Sequence, residues 1–490
     1  MHALSSRRRS TLGRSTFGLC FGLAAALSAC GSDEPAVVED PNELSALQRV
    51  LETNADIAFA SYSDAVITAE ALDAAIETLL TDPTPATLDA ARTAWRVARE
   101  PYGQTEVYRF RASPIDDTNY DRSDGEDGPE GSINAWPLGE ALIDYVVQGN
   151  DFGLDQVGVT AHQTGVEAPI PGNNLINSVD IPIDRALLLT SASAEDEKDV
   201  VAGYHAVEFM LWGQDLNVDG SADTAGARDG TPGQRPHTDF IDGDGCTSGP
   251  TAHDDGTLCA RRGTYLRAVM DLLIEDLTSV RDGWARGAPY REAFTGVDDL
   301  DAAKGKLLEI LTGMGTLSEG ELAGERMQIA LSADSQEDEH SCFADNTHRD
   351  IWTNAEGISN LFFGSYAGYD ADLDGEADAT DNAVDGYGID DYLADVGQLD
   401  LATEITGRLA TTATNYRAID ALARAGTPVD VQIMDASSVD AQPMRDTIVA
   451  LNAQSASIAR IATVLELGDV TDVVDPDASE CDTTDPTAEC

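Results

Sequence analysis

Gly203-Tyr204-His205-Ala206-Val207-Glu208 runs directly into Phe209-Met210-Leu211-Trp212-Gly213-Gln214-Asp215. Between Asp199 and Trp212 no proline interrupts and most residues are good helix formers. Val200, Val201, Ala206, Phe209 and Met210 recur at helical spacing, which predicts a buried or half-buried helix. His205 and Glu208 lie three apart. On a helix that spacing sets an imidazole and a carboxylate on one face, where they can share a metal ion or a proton. It equally suits a core histidine hydrogen-bonded to the acid below it, so the pair alone leaves both roles open.

Outward from this stretch the pattern is helical nearly everywhere. A long helix is predicted over 41–80, stopped by Thr81-Asp82-Pro83-Thr84-Pro85. A second covers 86–108 with Pro101 inside it, where proline should end or kink the helix and tilt Glu106 toward the interior. A Gly/Asp-rich loop (111–131), a short helix (136–148) and an aperiodic connector (149–180) lead to the quoted helix. Beyond it, residues 214–258 are an insertion rich in Asp, Gly, Thr and Pro. Helices are then predicted over 260–284, 300–314, 320–333 and 348–363, followed by an acidic loop (369–387) and two long helices, 392–425 and 444–467. No segment alternates with period two, so the expected fold class is all-α: two four-helix-bundle-like lobes packed together, with long acidic loop insertions. The expected division is a first lobe over 41–258, a second over 259–468, and an acidic tail over 469–490.

The charge balance is extreme. The 490 residues carry 30 Lys and Arg against 88 Asp and Glu, a net charge of −58, which argues against nucleic acid and anionic lipid as partners and for cations or simple solubility. Residues 1–29 read as an address. Arg7, Arg8, Arg9 and Arg14 form a basic start, residues 17–26 an apolar run, and Leu27-Ser28-Ala29-Cys30 a lipobox. Lipid on Cys30 would tether the chain to a bacterial envelope membrane, facing the periplasm or the cell surface, through an acidic tether over 30–40. A plain secretory signal is the alternative. Export favours disulfides, and local pairing is expected for Cys246 with Cys259 and for Cys481 with Cys490. Cys342 is left as a buried thiol, a soft ligand or a redox-sensitive site.

Two further stretches accompany the first: Ala94-Trp95-Arg96 through Arg99-Glu100-Pro101-Tyr102 to Glu106, and Glu337-Asp338-Glu339-His340-Ser341-Cys342-Phe343-Ala344-Asp345-Asn346-Thr347-His348. Together with Gly-x-His-x-x-Glu and Trp-Gly-Gln-Asp, they make the chain resemble the imelysin family (peptidase family M75), specifically its iron-regulated protein A branch. The resemblance covers roughly 40–465, apart from the acidic insertions. It implies a pair of helical lobes and a shared site between them.

That site would join Glu106, His205, Glu208, Glu337, Asp338, Glu339 and His340, nitrogen and oxygen donors suited to iron above all, with zinc or copper as alternatives. Glu337 and His340 mirror the spacing of His205 and Glu208, and facing Glu-x-x-His units are how helical bundles build metal sites. A run of acids at a solvated helix end would give the same letters. Asp345 and His348 read as helix-cap and structural residues, and Arg96, Arg99 and Arg109 as partners for buried or surface acids.

Two loops resemble calcium-binding sequences. Asp370, Asp372, Asp374 and Gly375, with Asp378 and Asp381 at the ninth and twelfth places, follow the EF-hand pattern except for the final Asp. Asp215, Asn217, Asp219, Gly220 and Asp223 begin the same way.

Three functions follow from these features. The first is a lipoprotein that binds a divalent or ferric metal, free or as a chelate, for iron acquisition, in concert with an envelope transport partner. The second is an M75-type metallopeptidase, although H-E-x-x-H with its built-in base is absent. The third is a non-catalytic surface interaction protein.

Overall fold

The computed structural model describes residues 41–119, 127–146, 160–161, 166–167, 174–191, 200–221, 228–247, 257–336, 338–467, 473, 481–488 and 490. The address segment, the tether with Cys30, Glu337 and Asp223 lie outside the described residues. The described part is mostly helical, and residues 41–490 cluster as one compact unit.

Helix α1 (Pro41–Thr81) has its only proline at the first position and no glycine, so nothing interrupts the backbone bonds. Leu47, Leu51, Ala55, Ala58, Tyr62, Ala65, Ala69, Leu72, Ile76 and Leu79 recur every three or four residues and are buried along its length. The Asp82–Pro85 break then starts α2 (Pro85–Gly103). Thr84 caps it: the Thr87 amide donates to the Thr84 hydroxyl at 3.2 Å, and the Thr84 amide donates back to the Thr87 hydroxyl at 3.0 Å. The expected single helix to 108 instead stops at Gly103, two residues after Pro101, and a 3₁₀ turn (Glu106–Tyr108) follows. That turn buries Glu106.

Helix α3 (Gly203–Trp212) begins later than expected and packs on α2 and on α4 (Thr257–Gly283). Helix α4 also lies along α1. Helix α5 (Leu300–Thr316) passes without a break into a π-helical stretch, Leu317–Gln328, where two separate helices were expected. π turns of that length are rare and mark functional sites in many helices. Helix α6 (Thr347–Phe363) bridges the two ends of the sequence, touching α2, the π stretch and α7 (Leu399–Arg424). Helix α8 (Gln442–Val464) completes this layer against α7, α5 and the π stretch. Close approach of α2 to α6 requires Gly103, because a Cβ there would lie 1.9 Å from the Thr353 hydroxyl oxygen.

Two pairs of strands occur among the described residues. Thr160–Ala161 (β1) pairs with Val166–Glu167 (β2), and Ser365–Tyr369 (β3) pairs antiparallel with Asp378–Asp385 (β4), Ser365 opposite Asp385 and Tyr369 opposite Asp378. The second hairpin lies where an acidic loop was expected. Strand β4, Asp-Ala-Thr-Asp-Asn-Ala-Val-Asp, has almost no apolar alternation to read. The hairpin is held by polar contacts instead: the Tyr366 hydroxyl, the Thr380 hydroxyl and the Asn382 amide donate to buried Asp64 at 2.8, 2.9 and 2.6 Å. The short helix expected over 136–148 contracts to Glu140–Ile143.

Cys246 is bonded to Cys259, and Cys481 to Cys490. The first bridge ties the insertion to the start of α4. Beside it, buried Asp144 accepts from Arg262 Nε at 2.6 Å and from Arg235 Nη1 at 2.5 Å. Burial opposes its charge, but the two guanidiniums hold its carboxyl below the usual range. A depressed folded-state pKa adds stability above the unfolded value of about 3.9 and loses it as pH falls. Asp144→Asn is therefore expected to be less stable at neutral pH and to show a shallower loss of stability below about pH 4 in urea titrations. No helix among the described residues is long and apolar enough to cross a membrane.

Candidate functional site

The glycine that opens Gly-x-His-x-x-Glu sits at φ +87, and a Cβ on it would lie 2.5 Å from the Ile133 carbonyl oxygen. This contact seats the first turn of α3 against the segment before it. One turn on, His205 Nδ1 and Glu208 Oε2 are 2.9 Å apart, both fully buried. The second oxygen of Glu208 accepts the Ala344 amide at 2.9 Å. Both Glu208 oxygens are thus engaged, so its carboxylate orients the imidazole rather than facing outward as a second donor.

The third motif supplies a matching unit. His340 packs edge-on against His205, ring centroids 4.8 Å apart at 81°. Its Nδ1 lies 3.0 Å from Asp350 Oδ2. Asp350 also accepts from Arg99 Nε at 3.1 Å and from the Ser341 hydroxyl. In each unit an acidic side chain bonds Nδ1, which fixes the ring and leaves Nε2 as the nitrogen that can meet a ligand. His205 Nε2 is buried and has no hydrogen-bond partner.

Glu106 lies behind the pair. It accepts from Arg326 Nη2 at 2.9 Å and from the Asn134 amide at 3.4 Å, with Arg109 Nη1 at 3.7 Å. Arg326 comes from the π stretch and also donates to Asn354.

Burial first, then neighbouring His340 and Arg99, push His205 well below its ordinary pKa. Burial and Arg326 bring His340 down to about 4. Both rings are therefore neutral at neutral pH, the form that ligates metals. Burial and the Asp350 charge push Glu208 well above the carboxylate range. For Glu106, Arg326 and Arg109 outweigh burial and bring it down to about 2. For Asp350, Arg99 and the bonds from His340 and Ser341 outweigh burial and hold it well below the usual range.

Not every predicted residue joins this centre. Asp338 is half-buried, its amide donating to the Ser335 hydroxyl at 3.3 Å. Glu339 is fully buried but has different neighbours, Asp430 and Asp345. Arg96 donates to the Ala344 carbonyl at 3.2 Å, and His348 Nε2 lies 3.6 Å from Asp420. Cys342 is buried and lies outside both disulfides. Three donor atoms within 4.8 Å of one another do not occur around His205 among the described residues. Such sets are formed by Asp215, Asp345 and Asp430 and by Asp370, Asp372 and Asp374.

The second set is the start of the EF-hand-like stretch, but it is the turn of the β3–β4 hairpin rather than a loop between helices. Asp370 accepts the Asp374 and Gly375 amides at 2.9 and 2.7 Å, and Arg349 and Arg424 approach it at 3.6 and 3.9 Å. Asp378 accepts the Ala371 amide at 3.2 Å and Asp381 is exposed on β4, so neither joins the first three. In the other loop, Asp215 turns away from exposed Asp219 toward Asp345 and Asp430.

Residues that the sequence did not single out complete the centre. Asp350 comes from α6, Arg326 from the π stretch, and Asn134 and Trp136 from the segment after Ile133, with Trp136 5.5 Å from the His340 ring. Asp350 stands ten residues past His340, in the first turn of α6, where only its Arg99 partner could have marked it.

The imelysin family model (Peptidase M75) matches residues 58–458. Iron-regulated protein A of Synechococcus elongatus is 32% identical over 128 residues, 26% of this chain and 31% of that protein, so the match spans about a third of the relative's length. A structure described as an iron-regulated protein A precursor from Parabacteroides distasonis has the same fold, with a TM-score of 0.52 at 16% identity, covering 87% of this chain and 96% of that one. An imelysin-like protein from Psychrobacter arcticus gives 0.47 at 14% identity over 87% of this chain and 98% of its own. With the family model spanning most of its length, the chain belongs to the imelysin family.

Proposed function

We propose that this chain is a lipid-anchored protein of the bacterial envelope that takes a transition metal, iron first, at the His205–His340 pair in the service of iron acquisition. The observation that carries the reading is the partnerless, buried His205 Nε2 beside a second imidazole, each ring pinned through Nδ1 by an acid. Two neutral imidazole nitrogens suit iron, zinc or copper, and an ionised Glu106 stands near enough to balance positive charge. A metal bound here acts as a Lewis-acidic centre whose remaining positions are filled by solvent or by the donors of a chelate.

A chelate is the better cargo. Two protein nitrogens, with no third donor within 4.8 Å among the described residues, bind a bare ion weakly, whereas a chelated ion brings its own ligands. The relative's name associates it with iron regulation, which supports iron over zinc. The burial of both rings suits a small ion or chelate better than an extended peptide, which favours binding over peptidase chemistry. Anchoring through Cys30 places the site at the membrane face, where an envelope transport partner would receive the metal.

The test is metal content and affinity of the parent, His205→Ala and His340→Ala after loading with ferric citrate or Zn²⁺. Loss of one imidazole is expected to weaken binding at least tenfold, in line with the effects seen when metal ligands or their supports are removed. Equal metal in parent and variants would remove the proposal. Metal-dependent cleavage of a peptide by the parent alone would establish the peptidase reading instead.

A further inference from the structure

The residue before His340 points to a different chemistry. Glu339 is 0% exposed, and neither of its carboxylate oxygens has a hydrogen-bond partner. The Thr347 hydroxyl, which already accepts the Ser341 amide at 2.9 Å, lies beside it without completing a bond of normal geometry. Its charged neighbours are Asp430, Asp345 and, more weakly, Arg228. Those two, with Asp215, bring carboxylate oxygens within 4.8 Å of one another. Asp430 is 1% exposed, and its Oδ1 is likewise without a partner.

Arg96 interacts with Asp345 and directs Nη2 to the Ala344 carbonyl at 3.2 Å. Arg228 directs Nη1 to the Asp430 backbone carbonyl at 2.8 Å and Nη2 to the Asp334 carbonyl at 2.7 Å, and pairs with Asp334 Oδ1 at 3.1 Å. Gln336 donates its amide to Asp215. Buried acids gathered this closely repel one another unless a proton or a cation lies among them.

We propose that Asp215, Glu339, Asp345 and Asp430 form a second metal site, for a hard divalent cation, calcium in particular. The donors are all oxygen, which selects calcium or magnesium over the softer metals that imidazole prefers. Their irregular origin favours calcium, which accepts six to eight oxygens in flexible geometry, over magnesium, which demands an octahedron. The acids come from the turn after α3, the third motif and the short helix Val429–Ile433. A cation there fastens three distant segments together. It also braces the stretch that carries His340 and the Ala344 amide. The site does not depend on a metal at the imidazole pair.

The experiment is calcium titration of the EDTA-treated full-length protein by calorimetry and by thermal melting. The background is Asp372→Asn/Asp374→Asn, which silences the hairpin turn. One calcium per chain and a higher melting temperature are expected. Glu339→Gln and Asp430→Asn are expected to weaken binding at least tenfold. Removing an uncompensated buried charge does not threaten the fold, and far-UV circular dichroism checks that each variant remains helical. Unchanged calcium affinity in both variants, or no calcium response in the background protein, overturns the proposal. Variants that are simply more stable than the parent in EDTA, in a protein that ignores calcium, would identify a proton-sharing cluster instead. His205→Ala is expected to leave calcium binding as it is, which separates this site from the imidazole pair.

Discussion

Asp350→Ala is expected to lower the unfolding free energy by about 3–5 kcal/mol, the cost of stranding one member of a buried ion pair. Asp350 is the only acid bonded to the Arg99 guanidinium among the described residues, and the Arg99 side chain is 2% exposed. The rest of that guanidinium lies over the Trp95, Tyr102 and Tyr204 rings and against Asn134, which cannot replace a carboxylate. His340 loses the acceptor that fixes its ring at the same time. The check is the urea midpoint, with the slope unchanged so that the shift reads as stability. Arg99→Met/Asp350→Leu should recover much of the loss, because buried pairs replaced together by apolar groups are often no less stable. If the single variant lost less than about 1 kcal/mol, Arg99 would have another route to solvent or charge. Recovery of stability without recovery of metal binding would show that Asp350 serves the imidazole as well as the fold.

How much of this was legible in the sequence depends on where the information lies. Helix α1 and its stop were plain because they rest on local rules: an uninterrupted apolar stripe, then Pro83 and Pro85. The pairing of His205 with Glu208 was legible for the same reason, as i,i+3 spacing on one helix. The meeting of His205 with His340 across 135 residues of sequence was not; nothing in either segment's periodicity specifies the other. The four consecutive candidates Glu337 to His340 also exposed a limit of spacing. Outside regular helix, adjacent residues point in different directions, and 338–345 are turns rather than helix. So His340 faces an imidazole while Glu339 faces acids. The β3–β4 hairpin was missed because its order comes from Asp64, more than 300 residues earlier, and not from alternation. The acidic insertion before 259 marks a break in composition and not in packing, since α4 beyond it lies along α1.

Gly203→Ala should destabilise the protein by about 3 kcal/mol or more, combining two separate costs. The first is conformational: at φ +87 a residue with a Cβ pays about 1–2 kcal/mol that glycine does not. The second is steric. The new Cβ would meet the Ile133 carbonyl oxygen at 2.5 Å, its carbon at 2.8 Å and the Ser132 carbonyl oxygen at 3.1 Å, all backbone atoms that cannot rotate aside. Ser132 and Ile133 are themselves held, the Ser132 hydroxyl donating to Asp276 at 2.6 Å, so α3 rather than this segment has to move. His205 lies in the first turn of α3. A displacement of a few tenths of an ångström there separates its ring from His340 and strains the Glu208 bond to Ala344. Gly203→Ala is therefore expected to lose metal affinity as well as thermal stability, although it touches neither imidazole. Ala202→Gly is the control, since it changes the neighbouring residue, already in extended backbone, without adding a Cβ to the crowded position. Melting curves and metal titration on the two variants separate the alternatives. If Gly203→Ala melted like the parent, the glycine would be a helix start only, and the seating of α3 on residues 132–133 would not be what aims His205.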